Sequence, residues 1–243
     1  MEIKMFDDYQ SSSCAIARKI SEIVLVKPDA LLCFAAGMTS LGVFEALIDL
    51  HKSGKCDFSR VRFSALDEWL NLEDEKENCA AFMKKNLYVP LEIRQEQIRF
   101  FDFHNPDRKE MCEEMDNYLF ENGPLDFMLL GIGMNGHIGF NEPGMPWEQY
   151  SMVAELDEVT TSVGQKYFSS SMKLSAGVSL GIKHVLNTKT VILQATGVHK
   201  QGIVKKLIAC RPGIDLPASA LKCMDNSYLY IDESLDLQSC LYS

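Results

Sequence analysis

Apolar and polar positions along this chain switch between two periods. Ile16, Ile20, Ile23 and Val24 fall at i, i+4, i+7 and i+8, one face of a helix. Ser11, Ser12 and Ser13 stand where a helix cap would, and Pro28 marks the end. Leu31-Leu32-Cys33-Phe34 is a short, wholly apolar run, the pattern of a strand buried on both faces. Leu41, Phe44, Leu47 and Ile48 return to the helical period, and Gly54 closes that segment.

The two patterns then alternate. Strands are predicted over 61–66, 98–103, 125–130, 190–195 and 228–231, and helices over 79–87, 107–120 and 200–208. Strands alternating with helices imply an α/β fold, a doubly wound, mostly parallel, Rossmann-like sheet with helices on both faces. No linker, repeat or low-complexity tract interrupts residues 1–243, so one domain is expected. In such sheets ligands bind beyond the carboxyl ends of the strands. The turns that follow the strands are therefore where chemistry is expected.

Charge narrows the partners. The chain has 24 Lys and Arg against 34 Asp and Glu, a formal net charge of -10. Such a surface repels polyanions, which argues against nucleic acid and anionic membranes. A few local cations and backbone amides can still hold one phosphate. The sequence opens without a long apolar run, so neither a signal peptide nor a membrane span is expected. Eight cysteines, none in a Cys-x-x-Cys pair, fit reduced thiols in a cytoplasmic protein. Cys33, inside an apolar run, is expected in the core. Ligand residues do not cluster, so no metal is expected.

Three turns carry candidate chemistry. In Ala35-Ala36-Gly37-Met38-Thr39-Ser40, small residues let the backbone approach a ligand and a helix start offers free N–H groups. Gly37, Thr39 and Ser40 are candidate phosphate contacts; the alternative is a tight turn with a helix cap. Leu66-Asp67-Glu68-Trp69 puts two acids directly after a strand, where a carboxylate can act as a general base or stand as a solvated loop acid. The third turn runs from Gly131 to Gly144. Gly131-Ile132-Gly133-Met134-Asn135-Gly136 matches Gly-x-Gly-x-x-Gly, and Glu155 lies near the acidic position of a dinucleotide site. That motif must open a helix, whereas Gly139, Pro143, Gly144 and Pro146 follow here. The stretch reads instead as a glycine-rich loop carrying His137 and Glu142, an imidazole and a carboxylate that can orient it.

Leu66-Asp67-Glu68-Trp69 together with Gly133-Met134-Asn135-Gly136-His137-Ile138-Gly139-Phe140-Asn141-Glu142-Pro143 resembles the glucosamine-6-phosphate deaminase family, within a superfamily that includes 6-phosphogluconolactonases. The resemblance runs from about Lys27 to about Lys200, and the Asn-Gly-His-x-x-x-Asn-Glu-Pro string is its most specific part. Trp69, Asn135 and Gly177-Val178-Ser179-Leu180-Gly181 are similar to a galactosamine-6-phosphate branch.

The resemblance implies roles. Asp67 matches the proton-shuttling base, His137 the group that assists ring opening, and Glu142 its supporting carboxylate. Asn135 stands where many members carry Asp, which removes a charge near His137. Lys200 matches a phosphate-contacting lysine. Lys166 stands where an arginine often contacts phosphate, keeping the charge but not the bidentate fork. Met38 and Ser40 depart from the family's usual Gly-Gly-Thr-Pro turn. The implied reaction is aldose–ketose isomerisation of a hexosamine 6-phosphate with ammonia release, needing no cofactor. A sugar-phosphate lactonase and a non-catalytic sugar-phosphate sensor are the alternatives. Asn141-Glu142-Pro143 and Asp67-Glu68 favour the deaminase. A sensor that regulates transcription would need a helix-turn-helix segment and a basic face. Monomer and homo-oligomer are both compatible with the sequence.

Overall fold

A computed structural model describes residues 1–72 and 74–237. Seven strands form one parallel sheet: β1 (Glu2–Phe6), β2 (Leu31–Phe34), β3 (Arg62–Ala65), β5 (Ile98–Arg99), β6 (Phe127–Leu130), β9 (Val191–Ala195) and β10 (Ser227–Asp232). Their order is β1-β10-β9-β6-β2-β3-β5, and every neighbouring pair is parallel. From β2 the chain builds outward through β3 and β5. It then returns to β6 on the other side of β2. The order therefore reverses between β2 and β6, the switch point where such sheets open a crevice at their carboxyl ends.

Alternate residues of the central strands feed two cores. Leu31, Cys33, Met128, Leu130 and Leu193 pack with α4 (Arg108–Asn122), α6 (Ile182–Asn187) and α7 (Gln201–Ala209). Leu32, Phe34, Phe63, Leu129 and Ile192 pack on the other face with α1 (Tyr9–Val26) and α2 (Leu41–Lys52). Helices on both faces explain why β2 and β6 read as unbroken apolar runs. Cys33 is fully buried, as expected for a thiol in such a run.

The α/β layout predicted from the pattern is observed, with local differences. Asp8, not a serine, caps α1, its carboxylate accepting from Ser11 N at 2.6 Å. Ser12 and Ser13 lie buried inside the helix, where their hydroxyls accept from Gln194 Nε2 at 2.9 and 3.0 Å. The strand expected over 98–103 is only Ile98–Arg99, an edge segment paired with β3 alone. The helix expected over 79–87 is α3 (Cys79–Met83) followed by a π turn over Lys84–Tyr88. The edge strand β1 was not foreseen, although Glu2-Ile3-Lys4-Met5 alternates polar and apolar as a half-buried strand does.

The larger difference concerns Asp67. Leu66-Asp67-Glu68-Trp69 is not a turn: Asp67–Leu70 is a strand, β4. It joins β8 (Ala176–Leu180) and β7 (Ser151–Glu155) in a small antiparallel sheet ordered β4-β8-β7. Trp69, Phe140, Ala154, Phe168, Met172 and Leu174 form a separate apolar cluster there. Asp67 pairs with Ser179 at the end of this ladder, one residue from Leu66 and two from the last residue of β3. Among the described residues no helix is long and apolar enough to cross a membrane.

Candidate active site

A cavity of about 500 Å³ opens at the switch point, within the size range of small-molecule sites. Its walls come from the segments after β2, β6 and β9, from β4, and from α5 (Glu158–Gly164) with the turn that follows it. Gly37, Thr39, Ser40, Asp67, His137, Lys166 and Lys200, all singled out by sequence, line it. Asn135 and Glu142 do not; they stand behind His137.

Asp67 is half-buried at the start of β4. Burial, and next the neighbouring Glu68 carboxylate, push its pKa up to about 7. A carboxylate poised there can take and return a proton near neutral pH. Glu68 has a different job. It is 3% exposed and accepts three backbone N–H groups: Trp69 and Cys79 on Oε1 at 2.8 and 2.9 Å, and Ala80 on Oε2 at 2.8 Å. Glu68 therefore ties β4 to the start of α3, with its side chain engaged by the backbone. Alternation along β4 explains the contrast, since successive side chains point to opposite faces.

His137 sits in the glycine-rich loop with its ring against Gly133, where a Cβ would collide with the imidazole. Gly136 and Gly139 have φ of 94° and 55°, and a Cβ at Gly139 would come within 2.6 Å of Ser179 Oγ. These glycines let the loop fold tightly enough to deliver His137 to the cavity that Asp67 also lines. Asn135 links the group, its Nδ2 donating to Glu142 Oε2 at 2.8 Å and its Oδ1 accepting from His137 N at 3.1 Å. His137 Nδ1 lies 3.6 Å from Glu142 Oε2, beyond ordinary hydrogen-bond length, and 3.0 Å from Thr160 Oγ1. Burial alone would raise Glu142, but the His137 ring, the Thr160 hydroxyl and the Asn135 amide outweigh it and hold the carboxyl below its ordinary range.

The cationic end is built by Lys200 and Lys166. Lys200 ends the short 3-10 turn that leads into α7, and its Nζ donates to the carbonyl of Ile132 at 2.6 Å. Burial, then repulsion from Lys166, lowers its pKa to about 8. Lys166 is exposed, with its Nζ 5.2 Å from the Tyr167 ring centre. On the same cavity, the Met38–Ser40 turn leads into α2. As at any helix start, its first N–H groups lack intrahelical acceptors. The Ser40 hydroxyl, expected as a ligand donor, is instead spent on the carbonyl of Ala35 at 2.8 Å. Thr39 and the backbone are what this turn offers a ligand.

Sequence reasoning missed Thr160, Cys79 and Tyr167 on the cavity wall. Burial and the carboxylates of Glu68 and Asp67 keep the Cys79 thiol well above its ordinary pKa, so it faces Asp67 as a neutral group. Burial alternates along Ser151–Glu155, but Met152, Val153 and Ala154 are all apolar, so no alternation in the sequence signalled the small sheet against which this wall is built.

Acid–base groups and paired cations at the switch point of a parallel sheet are the layout of an enzyme for a small anionic substrate. Residues 9–230 match the family described as glucosamine-6-phosphate isomerases/6-phosphogluconolactonase, and the chain belongs to that family. It is 34% identical over 234 residues to a glucosamine-6-phosphate deaminase of Bacillus pumilus, covering 96% of this chain and 97% of that one. The corresponding deaminase of Clostridium acetobutylicum is 31% identical over 236 residues, covering 96% and 98%. Among solved structures, a monomeric glucosamine-6-phosphate deaminase superposes with a TM-score of 0.92 at 29% identity, over 97% of this chain and 99% of that one. A 6-phosphogluconolactonase from Trypanosoma brucei gives 0.77 at 19% identity, covering 98% of each chain, and shares the fold.

Proposed function

We propose that this chain converts a hexosamine 6-phosphate and water into a ketohexose 6-phosphate and ammonia, with glucosamine 6-phosphate as substrate and fructose 6-phosphate as product. The observation that carries this reading is the position of Asp67: a carboxylate with a pKa near 7 on the same cavity as His137 and Lys200. The named relatives support the glucosamine epimer.

The phosphate sits between Lys200, Lys166 and the Thr39 turn, which orients the sugar for reaction at its far end. His137 moves a proton between the anomeric hydroxyl and the ring oxygen, and the ring opens. Asp67 then removes the proton from C2, the carbon bearing the amine, giving an enolamine. Return of a proton to C1 leaves an imine at C2. Water adds to that carbon, the carbon–nitrogen bond breaks, and ammonia departs. Each proton removed is returned, so the residues end as they began. Positioned acid–base groups of this kind contribute roughly 10²–10⁴-fold.

The test is an ammonia-release assay with glucosamine 6-phosphate and galactosamine 6-phosphate side by side, with 6-phosphogluconolactone hydrolysis in parallel. Ammonia from the glucosamine epimer is expected. Ammonia from the galactosamine epimer alone would reassign the substrate to that branch. Lactone hydrolysis without ammonia would overturn the reading.

A further inference from the structure

Thr160 comes from α5, a helix with no chemistry-bearing motif, yet its side chain ends at the imidazole of His137. The residue is 4% exposed, and Oγ1 lies 3.0 Å from His137 Nδ1. The same ring nitrogen is 3.6 Å from Glu142 Oε2, too long for a direct bond. Glu142 keeps acceptor capacity: Asn135 takes Oε2, and Oε1 is buried without a partner among the described residues. The His137 ring and, next to it, the Thr160 hydroxyl both help to hold this carboxyl below its ordinary range.

A hydroxyl has one proton to give and lone pairs to receive with. Glu142 as a carboxylate can only accept. The arrangement that satisfies all three groups runs in one direction: Nδ1–H donates to Thr160 Oγ1, and the Thr160 O–H donates to Glu142. The neutral imidazole then carries its proton on Nδ1 and leaves a lone pair on Nε2. That nitrogen has no protein partner among the described residues, and His137 lines the cavity.

We infer that Thr160 is a positioning residue, its hydroxyl bridging His137 and Glu142 and holding the imidazole in the tautomer whose free nitrogen meets the substrate. This rests on the ring-opening role proposed for His137. It adds a link from Glu142 to the imidazole through the threonine hydroxyl, beside the 3.6 Å approach of the two groups themselves. It also ties the site to the wall of the phosphate end. The segment that carries Thr160 continues directly into Lys166 and Tyr167, so seating α5 sets the imidazole and one cation together.

The test compares Thr160→Val, which keeps the shape and removes the hydroxyl, with Thr160→Ser, which restores it. Nitrogen-15 NMR of the imidazole in the ligand-free enzyme reads the tautomer without any turnover. Wild type and Thr160→Ser should show the proton on Nδ1, and Thr160→Val should move it to Nε2. In ammonia release, Thr160→Val should lose about tenfold or more in kcat, the equivalent of one hydrogen bond. Its KM should change by less than about threefold, since the phosphate contacts are untouched. Thr160→Ser should stay within about threefold of wild type. An unchanged tautomer in Thr160→Val, or a changed tautomer with unchanged kcat, overturns the inference. His137→Gln separates the two levels: if it turns over the cyclic substrate like wild type, the role of His137 fails, while the spectrum still decides whether Thr160 holds the ring.

Discussion

Lys200 donates a 2.6 Å hydrogen bond from Nζ to the carbonyl of Ile132, at the start of the loop that carries His137. The cation is thereby held at a fixed place on the cavity wall, and burial and Lys166 bring its pKa down to about 8. Asp67, raised to about 7, marks the other side of the working range. As pH falls through that value Asp67 gains a proton and cannot act as base. As pH rises through about 8 Lys200 loses its charge and phosphate affinity weakens. A pH profile of kcat/KM should therefore be bell-shaped and narrow. Lys200→Ala should remove the basic limb and raise KM by about tenfold or more, the worth of a charge-assisted hydrogen bond. A KM equal to that of wild type would remove Lys200 from the phosphate site.

Glu68 gives a stability prediction with a functional readout. Its carboxylate accepts from Trp69, Cys79 and Ala80, and a Gln amide nitrogen cannot accept. Glu68→Gln leaves at least one buried N–H unsatisfied, at about 1–3 kcal/mol. For a chain of this length that is a fall in melting temperature of roughly 3–10 °C. The Glu68 charge also raises Asp67, so removing it should shift the acid limb of the pH profile downward. A wild-type melting curve, or an acid limb that moves upward, would contradict this account of the acid pair.

Much of this was legible because the central strands are buried on both faces, and β2 and β6 have no polar positions to obscure them. The glycine-rich loop was legible because tight backbone and a close imidazole demand glycine at particular positions. The strand Asp67–Leu70 was hidden because two adjacent acids read as a turn. One of them, Glu68, is buried only by virtue of N–H groups that α3 brings from up to 12 residues away. Thr160 was hidden for a related reason. It lies in the seven-residue helix Glu158–Gly164, whose residues show no clear apolar period, and it meets His137 across 23 positions of sequence. Local pattern records which face a residue takes, whereas contacts of this kind exist only once the small sheet has closed on the large one.

Asp67 should weaken the fold it serves. A carboxyl whose folded-state pKa is raised binds its proton more tightly folded than unfolded. Stability from it is therefore present below the ordinary carboxylate pKa of 3.8 and is lost as pH rises toward about 7. Asp67→Asn keeps the size of the side chain and removes that loss. At pH values above the raised pKa the ligand-free variant should melt a few degrees higher than wild type, by about 1–2 kcal/mol once water in the cavity is allowed for. A variant that melts lower at such pH would show that the carboxylate is stabilised in place.

The most direct test follows the proton itself. The purified Asp67→Asn variant is incubated with fructose 6-phosphate and ammonium in deuterium oxide, and NMR follows deuterium entering C1 of the ketose. Binding is checked by the rise in melting temperature with glucosamine 6-phosphate. With Asp67 as the base, the variant folds, binds the amino sugar, and loses both C1 exchange and ammonia release by at least about 10²-fold. Exchange at near wild-type rate in a folded, sugar-binding variant would show that another group moves the proton, and would contradict the account.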